Sequence, residues 1–389
     1  MIADKGRGMT IMLVAGARPN FMKIAPLMAA LNSRDGLTPF LVHTGQHYDE
    51  RMSDLFFRQL SIPHPDVNLG VGGGTHATQT AAVMAAFEPV VLEHKPRAVL
   101  VVGDVNSTLA CGLVAAKLGV TLIHVEAGLR SFDRSMPEEL NRLLTDTASD
   151  LLFCTERQAV QNLRHEGVPP QKIHLVGNVM IDTLHANLAQ AQASPVLEHL
   201  RLTSRQYALL TLHRPANVDD EAVLTRLLDV LYLIQADMPV IFPVHPRTRA
   251  PLARGEAARL TQAMPNLRLI EPAGYLDFLK LTAHARVVLT DSGGVQEETT
   301  ILRVPCLTLR DTTERPVTAE LGSNRVVGTE PGRILAAYRQ VMSLPPELGQ
   351  TPPLWDGQAA QRIADVLTRE FLTCRGRPAL VGVAQASCS

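Results

Sequence analysis

At 389 residues the chain is longer than a single hydrophobic core usually fills, so two domains are expected. Hydrophobic residues make up 46% and charged residues 19%, the balance of a soluble α/β enzyme, and a formal net charge of -1 excludes a broad nucleic-acid-binding or polybasic membrane surface. Anions must therefore be bound locally.

The first eight residues, polar and glycine-containing, read as a ragged extension. Beyond them, apolar runs at 11–14, 40–42, 99–102, 122–125, 151–153 and 173–176 predict strands. Helical patterns near 21–31, 53–60, 108–118, 138–148 and 158–166 separate most of them. Such alternation predicts a parallel, doubly wound sheet. Residues 189–203 carry little strand signal and are expected to hold the connection to a second half. There, strands are predicted at 208–212, 240–242, 267–270, 287–289 and 306–309, again with helices between. A last helix, roughly 357–372, follows Trp355 and is expected to return to the first half, leaving 373–389 as a poorly ordered tail. The expected domains are accordingly 1–185 and 186–356. Neither a secretory leader nor an apolar span long enough for a bilayer is expected. Cys111, Cys154, Cys306, Cys374 and Cys388 are scattered without a CxxC pair. Three lie in apolar segments and read as buried reduced thiols, which suits the cytoplasm.

Ligands of open α/β sheets sit beyond the carboxyl ends of the strands. Polar residues follow the predicted strands repeatedly. Arg18 follows the first, Asp104 the run 99–102, Glu126 the run 122–125, His213 and Arg214 the run 208–212, His245 the run 240–242, and Asp291 and Ser292 the run 287–289. Both halves contribute, which points to a cleft between them. The first turn, Gly16-Ala17-Arg18-Pro19-Asn20, lacks the GxGxxG fingerprint, so a dinucleotide such as NAD is not expected. The glycine-rich run 70–74 has no following Gly-Lys-Ser/Thr and reads as a flexible loop rather than a P-loop. His43 and His47 straddle a strand end and turn, a poor arrangement for a metal, and none is expected.

The most informative stretch is Asp291-Ser292-Gly293-Gly294-Val295-Gln296-Glu297-Glu298, between the apolar run 287–290 and a helical pattern. A strand ending in Ser-Gly-Gly before a helix start makes an anion site, because the glycines let the backbone approach and the free amides and helix dipole favour negative charge. Glu298 lies about one helical turn further in, where a carboxylate accepts hydrogen bonds from a ribose diol. The pattern suggests a nucleoside diphosphate.

Six segments carry a family resemblance: Gly16-Ala17-Arg18-Pro19, Gly103-Asp104, His124-Val125-Glu126-Ala127-Gly128-Leu129-Arg130, Pro137-Glu138-Glu139-Leu140-Asn141-Arg142, the Asp291 to Glu298 stretch, and Arg310-Asp311-Thr312-Thr313-Glu314-Arg315-Pro316. In order and content they resemble the non-hydrolysing bacterial UDP-N-acetylglucosamine 2-epimerases, from about Ile11 to Leu372. The resemblance implies a GT-B fold, two Rossmann-like domains with the active site in the cleft between them. It further implies reversible interconversion of UDP-GlcNAc and UDP-ManNAc without a cofactor, a cytoplasmic homodimer, and a place in cell-surface polysaccharide biosynthesis.

The chemistry asks for such residues. The sugar C2 proton has no neighbouring carbonyl and becomes removable only as the C1–O bond to UDP breaks, so the enzyme must stabilise departing diphosphate and place a carboxylate near C2. Returning a proton to the opposite face requires a second acid–base group. By the family pattern Asp104, Glu126 and Glu138 hold the acid–base positions, and His213 stabilises departing UDP. Arg18 and Lys23 match site cations of the first turn and helix, and Ser292, Gly293, Gly294 and Glu298 the diphosphate and ribose contacts. Arg142, one helical turn after Glu138, is placed to hold that carboxylate or a phosphate. Arg214, His245 and Arg315 complete the expected substrate contacts.

The chain departs from the pattern at Ala17, Asn20 and Ala216, which bears on substrate detail more than on reaction type. Three other functions share the fold: a retaining GT-B glycosyltransferase, a hydrolysing epimerase, for whose usual added kinase domain this chain has no room, and a non-catalytic UDP-sugar sensor. Many relatives are activated by a second UDP-GlcNAc through a Gln-His-Arg-x-Met-Leu-Asp-Gln pattern. This chain has Gln46-His47-Tyr48-Asp49-Glu50 at that place, losing a cation and gaining two acids, so weak or absent activation is expected.

Overall fold

The computed structural model describes residues 8–16, 18–45, 59–60, 62–343 and 349–373. The chain divides into two compact units, Met1–Thr183 with Pro353–Ser389, and Leu184–Pro352. The helix expected near 53–60 (except for 59–60), the Gln46 to Asp54 motif and most of the expected tail lie outside the described residues.

The first unit holds a seven-stranded, wholly parallel sheet, with β1 (Met9–Ala15), β2 (Leu37–His43), β3 (Val67–Asn68), β4 (Ala98–Val102), β5 (Thr121–Val125), β6 (Leu151–Cys154) and β7 (Ile173–Leu175) in the order β3-β2-β1-β4-β5-β6-β7. Its central strand β4, Ala-Val-Leu-Val-Val, buries every residue on both faces, because helices cover both sides of a parallel sheet. One core layer gathers Met12, Val14, Val99, Val101 and Leu122 against Val83, Phe87, Val91 and Val114 of two helices.

The second unit repeats the plan with β8 (Ala208–Thr211), β9 (Val240–Pro243), β10 (Leu267–Ile270), β11 (Val287–Thr290), β12 (Cys306–Thr308) and β13 (Asn324–Val326), ordered β10-β9-β8-β11-β12-β13 and again parallel. Leu210, Leu212, Leu227, Leu231, Leu289 and Ile334 are among the residues of its main core. Two doubly wound Rossmann-like units are the composition of the GT-B class. In each, the strand order reverses beside the first strand, at β1/β4 and β8/β11, the switch point where such sheets open a binding crevice.

One placement differs from expectation. The chain changes unit between Thr183 and Leu184, inside the helix Val179–Gln192, so 189–203 belongs to the second unit and does not hold the connection. The C-terminal helix spans Ala359–Thr368, continues as one wide turn Arg369–Thr373, and belongs to the first unit. It is tied there: the Asp182 carboxylate accepts from the amides of Ala359 (3.1 Å) and Ala360 (2.7 Å), and Trp355 donates its indole N–H to the Thr155 carbonyl at 3.0 Å. Among the described residues no helix is long and apolar enough to cross a membrane.

Candidate active site

In the first unit the expected carboxylates stand at the ends of β4 and β5 and on the helix Pro137–Ala148. Gly103 ends β4 with φ 68°, and a side chain there would meet the Lys23 ammonium at 2.8 Å, so only glycine leaves that cation room. Asp104 follows, partly exposed, and its carboxylate pairs with the Arg142 guanidinium while its backbone carbonyl accepts from the Asn141 amide at 2.8 Å. Glu126 follows β5, is 4% exposed, and pairs with Lys23. Its φ is 78°, the left-handed region that L side chains avoid. Strain of this kind persists where surrounding structure holds a residue in place for a purpose.

The helix Pro137–Ala148 begins with proline at its first position and places Glu138 and Glu139 in its first turn, where the dipole favours acids. Glu138 is half-buried, whereas Glu139 is buried and accepts from the amides of Ser131 (3.0 Å) and Phe132 (2.9 Å). Burial alone would raise the Glu139 carboxyl, but those amides and Arg142 outweigh it and hold it below the ordinary value. Arg142, expected at Glu138 or a phosphate, is buried, donates to Glu139 at 2.6 and 2.9 Å, and also binds Asp104. One arginine thus links a structural carboxylate to a candidate catalytic one. Arg18 opens the helix Arg18–Asn32.

The second unit holds the candidate anion-binding residues. The helix Gly293–Leu302 starts at Ser292, whose hydroxyl makes no capping bond to the first-turn amides. Gly293 is buried and Gly294 half-buried, and a side chain at Gly293 would meet the Glu314 carboxylate at 2.8 Å. Glu314 gathers cations: Arg310 pairs with it at 2.7 Å and Arg214 at 3.5 Å, and these with Arg315 outweigh burial and hold its carboxyl well below the ordinary range. Arg315 is buried and pairs with Glu297. His213 follows β8, and its Nδ1 lies 2.8 Å from the fully buried Asp291 carboxylate. Asp291 also accepts from the amides of His213 (3.0 Å) and Arg214 (2.9 Å) and from the Asn217 side chain (3.2 Å). It is thereby held below the ordinary carboxylate value against burial, and it fixes the ring through Nδ1. The His245 ring lies 5.6 Å from that of His213, and its Nδ1 accepts from the Arg247 amide at the start of the helix Pro246–Leu252. Glu298 is fully buried beside the Tyr275 hydroxyl, and burial pushes its carboxyl up to about 8, with Glu297 adding to the rise and Tyr275 offsetting part.

Sequence reasoning placed no role on Glu139, Asp146, Glu314 or Tyr275, and marked Asp291 at a strand end without a task of its own. Asp291 had a signal, as the polar residue directly after an apolar strand. Asp146 had one too, lying four residues beyond Arg142 and eight beyond Glu138 on one helical face.

The UDP-N-acetylglucosamine 2-epimerase family model matches residues 29–368. This chain belongs to that family. It is 41% identical over 368 residues to the UDP-N-acetylglucosamine 2-epimerase of Methanocaldococcus jannaschii, covering 92% of this chain and 99% of the relative. It is 43% identical over 366 residues to the UDP-2,3-diacetamido-2,3-dideoxy-D-glucuronate 2-epimerase of Pseudomonas aeruginosa, covering 93% and 100%. The crystal structure of the M. jannaschii enzyme in complex with UDP-GlcNAc and UDP superposes with a TM-score of 0.87 at 41% identity, covering 92% of this chain and 99% of that one. That of Neisseria meningitidis UDP-GlcNAc 2-epimerase bound to UDP-GlcNAc gives 0.86 at 29% identity, covering 93% and 100%.

Proposed function

We propose that the protein interconverts UDP-N-acetylglucosamine and UDP-N-acetylmannosamine by eliminating UDP and adding it back. The observation that carries this reading is Glu126, a buried carboxylate held at φ 78° against Lys23 at a strand end, in the family's acid–base position. In the elimination a carboxylate removes the C2 proton, the C1–O bond breaks with its electron pair leaving on UDP, and a C1=C2 double bond forms. The glycal and UDP then recombine: the UDP oxygen attacks C1 and a second group delivers a proton to the opposite face of C2. We assign Asp104, Glu126 and Glu138 to these proton transfers. His213, oriented by Asp291, stabilises the negative charge on departing UDP, with Arg18 and Arg214 as further cations. The amides of Ser292, Gly293 and Gly294 receive the diphosphate and Glu298 the ribose. Buried Arg142 and Arg315 act by holding Asp104 and Glu297, and His245 by packing on His213.

Proton NMR of UDP-GlcNAc with the protein in D2O tests the reading. Deuterium enters C2 and UDP-ManNAc accumulates with little free UDP. Free sugar as the main product would establish hydrolysis, and absence of exchange would favour a transferase or sensor. A second substrate, UDP-2,3-diacetamido-2,3-dideoxy-D-glucuronate, is favoured by the P. aeruginosa relative. The same spectra with that sugar decide between them.

We further infer a cytoplasmic homodimer serving cell-surface polysaccharide synthesis. Leu140 and Leu144 support the dimer, since they are exposed and share one helical face, a surface that a partner would cover. Light scattering should give twice the chain mass, and a monomer would refute it.

A further inference from the structure

Behind the acid–base residues lies a charged cluster that the proposed chemistry does not use. His124, fully buried within β5, places Nδ1 2.6 Å from the Asp146 carboxylate and Nε2 2.8 Å from the Gly103 carbonyl. A carbonyl can only accept. Asp146 is ionised, because His124 and Arg130 outweigh the burial that would otherwise raise it. Nε2 therefore donates to that carbonyl, while Nδ1 faces the carboxylate. The second Asp146 oxygen accepts from the Gly128 amide at 3.0 Å and from Arg130 at 2.7 Å, and Arg130 continues to Glu166 at 2.6 Å.

The cluster has two outputs. Through His124 it grips the carbonyl of Gly103, the residue before Asp104. Through Gly128 it grips the turn begun by Glu126, whose own amide is held by the Phe153 carbonyl at 3.0 Å. Between these outputs sits Lys23, which pairs with Glu126 and fits only because residue 103 is glycine. A buried array of this cost is more than packing requires, since apolar residues of similar volume stabilise a core at least as well.

We propose that His124 and Asp146 are positioning residues for the proton transfers: the imidazole, wedged between the Asp146 carboxylate and the Gly103 carbonyl, sets the backbone carrying Asp104, while the same carboxylate sets the turn carrying Glu126. The inference rests on the elimination and re-addition proposed above. Proton transfer is sensitive to placement, and a shift of about 1 Å costs on the order of 10²-fold.

The test uses Asp146→Asn and His124→Gln in the full chain. The second keeps Asp146 paired with Arg130 and Gly128, and so serves if the first fails to fold. Each folded variant should lose at least about tenfold in kcat with KM and UDP affinity within about threefold, and should release a larger share of free UDP and glycal. Adding His124→Gln to Glu126→Gln should cost much less than the product of the two single losses, because both act on one step. Fully multiplicative losses, or wild-type kcat in folded Asp146→Asn, would overturn the assignment. A crystal structure of the variant separates this inference from the reaction itself. Carboxylates of Asp104 and Glu126 displaced by more than about 0.5 Å support positioning even if the wild type exchanges no C2 hydrogen, an outcome that sinks only the reaction. Undisplaced carboxylates overturn the positioning role whatever the reaction proves to be.

Discussion

Glu126→Gln is expected to lower turnover by at least about 10²-fold, within the range that a general acid–base group contributes. The amide keeps the volume and reach of the side chain but removes the proton-transfer function and the ion pair with Lys23. Backbone strain is unchanged, because Gln meets the same penalty as Glu at φ 78°. UDP affinity should stay within about threefold, because the proposed diphosphate and ribose contacts come from other residues, Ser292 to Gly294 and Glu298. Loss of kcat and of C2 exchange should run in parallel. Asp104→Asn and Glu138→Gln should fall in the same class, with one difference. Asp104 also anchors Arg142, so its variant should lose stability as well, whereas Glu138 is half-buried and should lose little. Near-normal turnover in Glu126→Gln would remove it from the proton relay and shift the burden to the other two.

What the sequence made legible, and what it hid, follows from how each feature is encoded. The central strands were plain because a strand buried on both faces is a short apolar run, as in Ala98–Val102 and Val287–Thr290. Two of the four edge strands were not: β3 is two residues long, and β13 is the polar Asn324–Val326. The helix His76–His94 was also missed. It carries Pro89 in its interior, which ordinarily argues against a helix, and its buried stripe of Gln79, Val83, Phe87 and Val91 includes a polar residue. The candidate site was legible where a polar residue stands directly after a strand, at Asp104, Glu126 and His213. Residues that act through others were hidden. Asp146 and Glu139 lie on the amphipathic helix Pro137–Ala148, where an acid reads as solvated surface, yet both are buried because arginine, histidine and backbone amides converge on them. Arg142 shows the converse: its place one turn after Glu138 was plain, but its bonds to Glu139 and Asp104 depend on how Ser131 and the β4 end fold around it. Spacing within one element can be read from sequence, while convergence of several elements on one buried charge cannot.

UDP binding should release a proton through Glu298. Without ligand the carboxyl titrates at about 8, since it is buried beside Glu297 with only the Tyr275 hydroxyl to offset the cost of charge. At pH 7 it is therefore largely protonated. Two ribose hydroxyls donating to it would favour the ionised form, so the bound state has the lower pKa. The sign follows: as pH falls below about 8, UDP affinity weakens, approaching tenfold per pH unit until the pKa of the bound state is reached. Stability of the free protein moves the other way. A folded-state value above the ordinary 4.5 means that this group's contribution is fully present below 4.5 and is lost as pH rises through about 8. Calorimetry in two buffers of different ionisation enthalpy reads the proton count. The diphosphate and other groups can also exchange protons on binding, so the informative quantity is the difference between wild type and Glu298→Gln, which share those groups. At pH 7 the wild type should release close to one proton more per UDP than the variant, and its affinity should fall more steeply toward pH 6. Glu298→Gln should also weaken UDP at pH 8.5, where the wild-type carboxylate is charged, and by less at pH 6, where it is not. Equal proton counts in the two proteins would mean that Glu298 does not change its protonation on binding, and that the ribose is held by another group.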